Sequence, residues 1–269
     1  MTSADPILDA LWRDYTASTP QAALIHNLLS NRGEQIVNDH IALRSFGSFA
    51  GHRGVGIADL QRGFEAAGWQ PRDHYVFDDK HLVARYWQHE NPALPKVFIS
   101  ELEVGKLSPL AQEIIAGLLA QLPTNFAQRA DLPWAGRPWQ VSHAQYTALL
   151  AESEYAAWMA AFGFRVNHFT VDVNRLQTFA SLAALNDFLL AQNITLNRAG
   201  GLIKGNPAER LEQSSTMAAP VDVQFADGVF AIPSCYYEFA KRYPLPSGEL
   251  FQGFVPASAN KLFESTNVR

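Results

Sequence analysis

Two histidines, an arginine and a small set of acids are the residues of this chain best suited to chemistry. The first group is Asp39-His40-Ile41-Ala42-Leu43-Arg44. On a β-strand, side chains alternate, so His40, Ala42 and Arg44 share one face while Ile41 and Leu43 share the other. A neutral imidazole binds metal ions, and a guanidinium grips a carboxylate through two parallel hydrogen bonds. The small Ala42 between them leaves room for a small anion. The second group is Val166-Asn167-His168-Phe169-Thr170, where His168 shares its face with Val166 and Thr170. Apolar flanks desolvate the ring and favour its neutral, metal-binding form. The third is Tyr236-Tyr237-Glu238-Phe239. A carboxylate among aromatics is costly to bury as an anion unless a cation or metal meets it. Glu101 and Glu103 are the corresponding acids of the first half, and Glu101 rivals Glu238 as a ligand. Each group also has a bland reading: core histidines bonded to carbonyls, Arg44 paired with a surface acid, Glu238 paired with Lys241 or Arg242.

Two strand histidines and one strand carboxylate make a ligand set that occupies one face of an octahedral metal and leaves three positions open. Non-haem Fe(II) oxygenases use this set. Zinc accepts the same residues, so a zinc hydrolase or isomerase, or a non-catalytic metal-binding protein, stands as the alternative. His26, His52, His74, His81, His89 and His143 lie in helical, Gly-rich or turn segments and read as solvated or capping residues. The stretch Gly51-His52-Arg53-Gly54-Val55-Gly56 lacks the spacing of a phosphate loop. Cys235 has no histidine nearby and reads as a small buried hydrophobe. The run Gln213-Ser214-Ser215-Thr216 reads as a loop, with orientation of a bound ligand as its other reading.

These groups are far apart in the chain, so the fold must gather them. Leu8, Leu11, Trp12 and Tyr15, then Leu24, Leu28 and Leu29, predict two helices over residues 6–32, with Gly33 as a stop. Strands are expected at 37–46, 73–77, 81–87 and 96–104, with a helix ending near Gly68 after the first. A helix over 108–122 starts with Ser and Pro. The Pro- and Trp-rich stretch 132–139 is a linker or a lid. Helices near 143–150 and 152–162 lead to a strand at 164–173. A long helix over 176–192 and short strands at 221–225, 229–232 and 235–239 follow. The order strand, helix, several strands thus occurs twice, over about 34–105 and 162–243, as a weak repeat in pattern. The expected fold is α+β: two βαβββ-like units forming one curved mixed sheet around a metal cavity, with peripheral helices. Residues 1–269 read as a single metal-dependent catalytic domain.

Composition narrows the partners. The chain has 269 residues, 48% hydrophobic and 17% charged, which suits a sizeable core. Its net charge of -5 argues against a nucleic-acid surface, and no local basic cluster offsets it. A single cysteine rules out an internal disulfide or a Cys-rich zinc module. The opening MTSADPILDALW has no basic start followed by an apolar centre and is not expected to be a leader, and no apolar run is of membrane-spanning length. A cytoplasmic location and no membrane partner are therefore expected, with a homodimer as a candidate assembly.

Four segments together resemble one family: DHIALRSF, VNHFTVD, YYEFAKRY and FVPASANKLFEST. In this order they are similar to the 2-oxoadipate dioxygenase/decarboxylase family, and the likeness runs from about residue 20 to the end. The resemblance implies a fold of the vicinal oxygen chelate type. It implies Fe(II) held by His40, His168 and Glu238, which favours Glu238 over Glu101. It implies substrate contacts at Arg44, His168 and the pair Ala257-Ser258, where Ala257 replaces the family's Val. The implied reaction is oxidative decarboxylation of a 2-oxo dicarboxylic acid with O2. For 2-oxoadipate this gives 2-hydroxyglutarate and CO2, a step of lysine breakdown.

Overall fold

Branched and aromatic residues place the strands, and strand register shows which face each side chain takes. The computed structural model describes residues 6–266. Residues 1–5, the start of the segment read above as lacking a leader, and residues 267–269 lie outside the described residues. Helices α1 (Pro6–Ser18) and α2 (Pro20–Asn31) come first, each opening on a proline. Strand β1 (Asn38–Leu43), helix α3 (Ile57–Ala66) and strands β2 (Gln70–Phe77), β3 (Leu82–Gln88) and β4 (Lys96–Leu102) form the first βαβββ unit. Helices α4 (Pro109–Leu119), α5 (His143–Glu152) and α6 (Glu154–Phe162) intervene. The second half holds β5 (Val166–Asp172), α7 (Leu182–Ala191), β6 (Lys204–Asn206), β7 (Leu211–Ser215), the hairpin β8 (Pro220–Phe225) and β9 (Gly228–Pro233), and β10 (Tyr236–Arg242). Helix α8 (Pro256–Leu262) and a 3-10 turn, Phe263–Thr266, end the described chain.

Eight strands form one mixed, curled half-barrel sheet in the order β2-β3-β4-β1-β5-β10-β7-β6, and β8-β9 stand apart as a hairpin. Both halves are wired alike. The first strand of each runs parallel to its last, β1 with β4 and β5 with β10, and an antiparallel β1–β5 seam joins the halves.

That seam sets the site. His40, Thr170 and Glu238 stand side by side in one cross-strand row, and Ala42, His168 and Tyr236 in another. Between them lies the row Ile41, Phe169, Tyr237, whose side chains take the opposite face. Helix α1 covers this outward row: Trp12 meets the Phe169 ring edge-on at 4.9 Å and Tyr15 lies 5.0 Å from it. Ile41, Phe169 and Tyr237 are fully buried. Each such burial stabilises by about 1.5–3 kcal/mol. A one-residue slip would turn this apolar row inward, so its burial also holds the polar rows in register.

Two segments depart from the sequence expectation. The helix expected over 176–192 begins only at Leu182. Glu34 accepts hydrogen bonds from the backbone N–H groups of Gln177 and Thr178, both at 2.7 Å, which holds those residues out of the helix. The Ser181 hydroxyl then caps the start by accepting from the Ala184 N–H at 3.1 Å. The run Gln213–Thr216, read as a loop, is mostly strand β7, buried and paired with β10. Its polar side chains hide it from a reading based on branched and aromatic residues. The 132–139 stretch packs as a strap: Gly136 and Phe164 exchange backbone hydrogen bonds, and the buried Trp139 indole donates to the Ala160 carbonyl at 2.8 Å. No described helix is long and apolar enough to cross a membrane.

Candidate metal centre

Each histidine of the seam is aimed by the residue just before it. Simple alternation would put Asp39 on the face opposite His40. The β1–β5 register, however, slips between Asn38 and His40, making Asp39 an extra residue of β1. A second slip between Ala42 and Leu43 makes Asn167 an extra residue of β5. Both bulged side chains fold back onto their neighbour: Asp39 Oδ1 lies 2.8 Å from His40 Nδ1, and Asn167 Oδ1 lies 3.1 Å from His168 Nδ1. An oxygen acceptor there makes Nδ1 the N–H donor and turns the Nε2 lone pair inward, where that of His40 also has the Thr170 hydroxyl at 3.1 Å. The two Nε2 atoms face Glu238, His40 at 3.5 Å from Oε1 and His168 at 3.4 Å from Oε2. One ligand atom from each of the three residues lies within 4.8 Å of the others.

The electrostatics suit a cation. Burial holds the His40 imidazole below its ordinary pKa despite Asp39, and burial, then His40 and Arg44, holds that of His168 well below. Burial thus favours the neutral form of both rings, the form that ligates metal. Burial pushes the Glu238 carboxyl up to about 8 against the pull of its hydrogen bond from Gln213. That bond, Gln213 Nε2 to Oε1 at 2.6 Å, fixes one carboxylate oxygen. Two neutral imidazoles and a buried acid form a site whose one ionised carboxylate a divalent ion would stabilise, and the nitrogen and oxygen donors fit Fe(II) or Zn(II).

Behind His40 lies an ion network. Arg242 grips Asp39 with both ends of its fork, Nε to Oδ2 at 2.6 Å and Nη2 to Oδ1 at 2.8 Å, and donates to the carbonyls of Phe251 and Gly253. Burial would raise the Asp39 pKa, but Arg242 and Lys96 hold it well below the carboxylate range.

Arg44 follows the last residue of β1 and is buried. It donates to Glu154 Oε1 at 2.8 Å and to Thr266 Oγ1 at 3.3 Å, and its guanidinium lies 4.8 Å from the Tyr155 ring and 5.0 Å from the Trp158 ring. Burial disfavours its charge, yet Glu154 outweighs that and holds its pKa above the ordinary value.

His40, Arg44, His168 and Glu238 line one cavity of about 30 Å³, little more than a water's worth of space. Phe254, Leu262 and Phe263 close it. Phe263 also borders a second cavity of about 190 Å³, lined by Lys80, His81, Glu154 and Tyr155.

All four principal residues therefore meet. Glu101 does not join them: its carboxylate accepts from the Ile57 N–H at 2.8 Å at the start of α3. Ala257 is exposed, and Ser258 is buried beside Gly205; Ala259, not these two, lines the cavity from α8. Cys235 is buried and its thiol is pushed up to about 11 by burial, consistent with an inert residue. The sequence reading missed the orienting roles of Asp39 and Asn167, ranked a loop above an orienting role for the run that begins at Gln213, and missed Glu154. The polar run that includes Gln213 was the one visible signal among them.

A βαβββ pair with a two-His, one-carboxylate cluster on its seam is a fold of the vicinal oxygen chelate type carrying a possible metal site. A glyoxalase-superfamily protein of Ralstonia eutropha shares the fold (TM-score 0.76, 21% identity, covering 92% of this chain and 84% of that one). The family profile for 2-oxoadipate dioxygenase/decarboxylase matches residues 7–131 and 130–250, and the chain belongs to this family of enzymes. The chloroplastic 2-oxoadipate dioxygenase/decarboxylase of Arabidopsis thaliana is 35% identical over 87% of this chain and 69% of its own length. The solved hydroxyglutarate synthase of Oryza sativa, in complex with 2-oxoadipate, superposes with a TM-score of 0.90 at 31% identity, covering 97% of this chain and 91% of that one. A Shewanella frigidimarina protein with a provisional hydrolase label is 46% identical with a TM-score of 0.88, covering 96% and 99%.

Proposed function

We propose that this protein is an Fe(II)-dependent dioxygenase that converts 2-oxoadipate and O2 into 2-hydroxyglutarate and CO2, as a step of lysine breakdown in the cytoplasm. The observation that carries the reading is the convergence of His40, His168, Glu238 and Arg44 on one cavity. The rice relative bound to 2-oxoadipate supports the choice of substrate.

His40, His168 and Glu238 hold the metal, and Asp39, Asn167 and Gln213 keep their ligand atoms aimed. When bound, Fe(II) supplies the redox chemistry of O2 and open positions for the 2-oxo acid. Arg44 holds a substrate carboxylate as a bidentate partner and fixes its orientation. His168 borders the substrate as well as the metal. The Phe254, Leu262 and Phe263 roof excludes water from the reacting groups. A cavity of about 30 Å³ does not hold a six-carbon diacid, so the reading requires the roof to shift on entry; the cavity beside Glu154 adjoins it across Phe263.

The test is O2 uptake after anaerobic loading with Fe(II). With 2-oxoadipate, O2 consumed, CO2 released and 2-hydroxyglutarate formed should agree one to one to one. His40→Ala, His168→Ala and Glu238→Ala should each abolish turnover and metal retention, and full activity in any of them removes that residue from the ligand set. The provisional label of the Shewanella relative keeps a zinc hydrolase as the second reading. Turnover of a substrate under argon by the Zn-loaded protein, with no O2 uptake in the Fe-loaded one, would favour it.

A further inference from the structure

We propose that Tyr236 is a substrate-binding residue whose hydroxyl donates a hydrogen bond to the carboxylate remote from the metal, the same group that Arg44 grips. This rests on the reading of the substrate as a 2-oxo dicarboxylic acid.

Three buried donors on the walls of the metal cavity lack a partner: Arg44 Nε, Asn167 Nδ2 and the Tyr236 hydroxyl. Apart from the Tyr236 hydroxyl, which can also accept, no buried acceptor without a partner lines it among the described residues. A wall offering donors and no other free acceptor complements an anion. An unsatisfied buried donor is destabilising, and a phenylalanine would fill the same space without one. An unpaired tyrosine hydroxyl alone marks nothing, since Tyr237 has one too. Tyr237, however, faces the opposite side of the sheet, packed near Trp12 and Phe239.

Position links the Tyr236 hydroxyl to the group that Arg44 grips. Along β1 the rows run His40, Ala42, then Arg44. Glu238 belongs to the His40 row, and Tyr236 to the Ala42 row, one step nearer Arg44. Arg44 stands four residue steps beyond His40, about 13 Å at the usual strand rise. Arg44 therefore serves the end of the cavity away from Glu238, and the Tyr236 hydroxyl, which feels the charges of both Glu238 and Arg44, stands between the two ends and within the field of Arg44. The Tyr236 ring is also pinned: it stacks on the His168 ring at 4.5 Å and 24°, and the Tyr15 hydroxyl donates to its carbonyl at 2.5 Å.

The experiment is calorimetric binding to the Fe(II)-loaded protein without O2, using 2-oxoadipate and 2-oxohexanoate, which has the same chain length and a methyl end. The wild type should prefer the diacid. Tyr236→Phe should weaken the diacid by about tenfold or more, the loss of a hydrogen bond to a charged group. It should leave the affinity for the monoacid within about twofold, without lowering Fe(II) affinity or the melting temperature of the metal-free protein. Unchanged diacid affinity, or equal loss for both acids, overturns the inference and leaves the proposed function standing. Misfolding or a lower melting temperature makes the hydroxyl structural and also overturns it. A wild type that binds neither acid, or shows no preference, overturns both readings.

Discussion

Asp39–His40 and Asn167–His168 occupy matching places in the two halves of the sheet. Each pair sits at a bulge, and each bulged residue holds the Nδ1 of the histidine that follows. One holder is a carboxylate and the other a neutral amide, and the surrounding charges account for the difference. The Asp39 charge is matched by Arg242 from β10 and by Lys96 from β4, so the first imidazole is anchored in an ion network that crosses both halves. On the His168 side the nearby cation is Arg44, already balanced by Glu154. A carboxylate at 167 would compete for that guanidinium, whereas an amide leaves it to the substrate. The halves share a fold unit but hold their histidines differently: the first through a carboxylate tied into an ion network, the second through a neutral amide.

Breaking the charged half should have the largest effect. Asp39→Asn leaves the buried Arg242 guanidinium without its anion, which costs about 3–5 kcal/mol of stability by chemical denaturation. Metal affinity should fall with it, by about 10–100-fold. Converting the second half into a copy of the first should have an intermediate effect. Asn167→Asp should keep metal bound but draw Arg44 away, raising KM for the diacid by about tenfold, the worth of one charged hydrogen bond. Unchanged KM would mean that the neutral holder has nothing to do with Arg44.

The smallest effect lies at the edge of the ion network. Burial and the charge of Asp39 push the Asp172 carboxyl up to about 6. A folded pKa above the ordinary 3.8 means that the native state resists ionisation. The resulting cost is absent near pH 3, grows between pH 4 and 6, and is fully present above. Asp172→Asn should therefore stabilise the protein by about 1 kcal/mol at pH 7.5, discounted for partial solvent access, with the gain vanishing near pH 4. Melting temperatures across that range check the sign.

Much of the site was legible because strand alternation is short-range. His40, Ala42 and Arg44 could be placed on one face from spacing alone, and two apolar-flanked strands carrying His168 and Glu238 stood out. The holders were not legible. Alternation sends Asp39 and Asn167 to the wrong face, and only the pairing of β1 with β5 creates the bulges that bring them back. Gln213 was hidden for another reason: Leu211–Ser215 is a strand by virtue of its neighbour β10, not of its own side chains. The late start of α7 likewise depends on Glu34, far upstream. Helices were read well wherever an apolar stripe and a cap coincided, as in α4 and α5.

Anomalous X-ray scattering at the iron edge, from crystals of the Fe(II)-loaded protein, addresses the metal site directly. A single peak within bonding distance of His40 Nε2, His168 Nε2 and a Glu238 oxygen is the expected result. A peak elsewhere, or none between these three side chains in protein shown to retain iron, would contradict it.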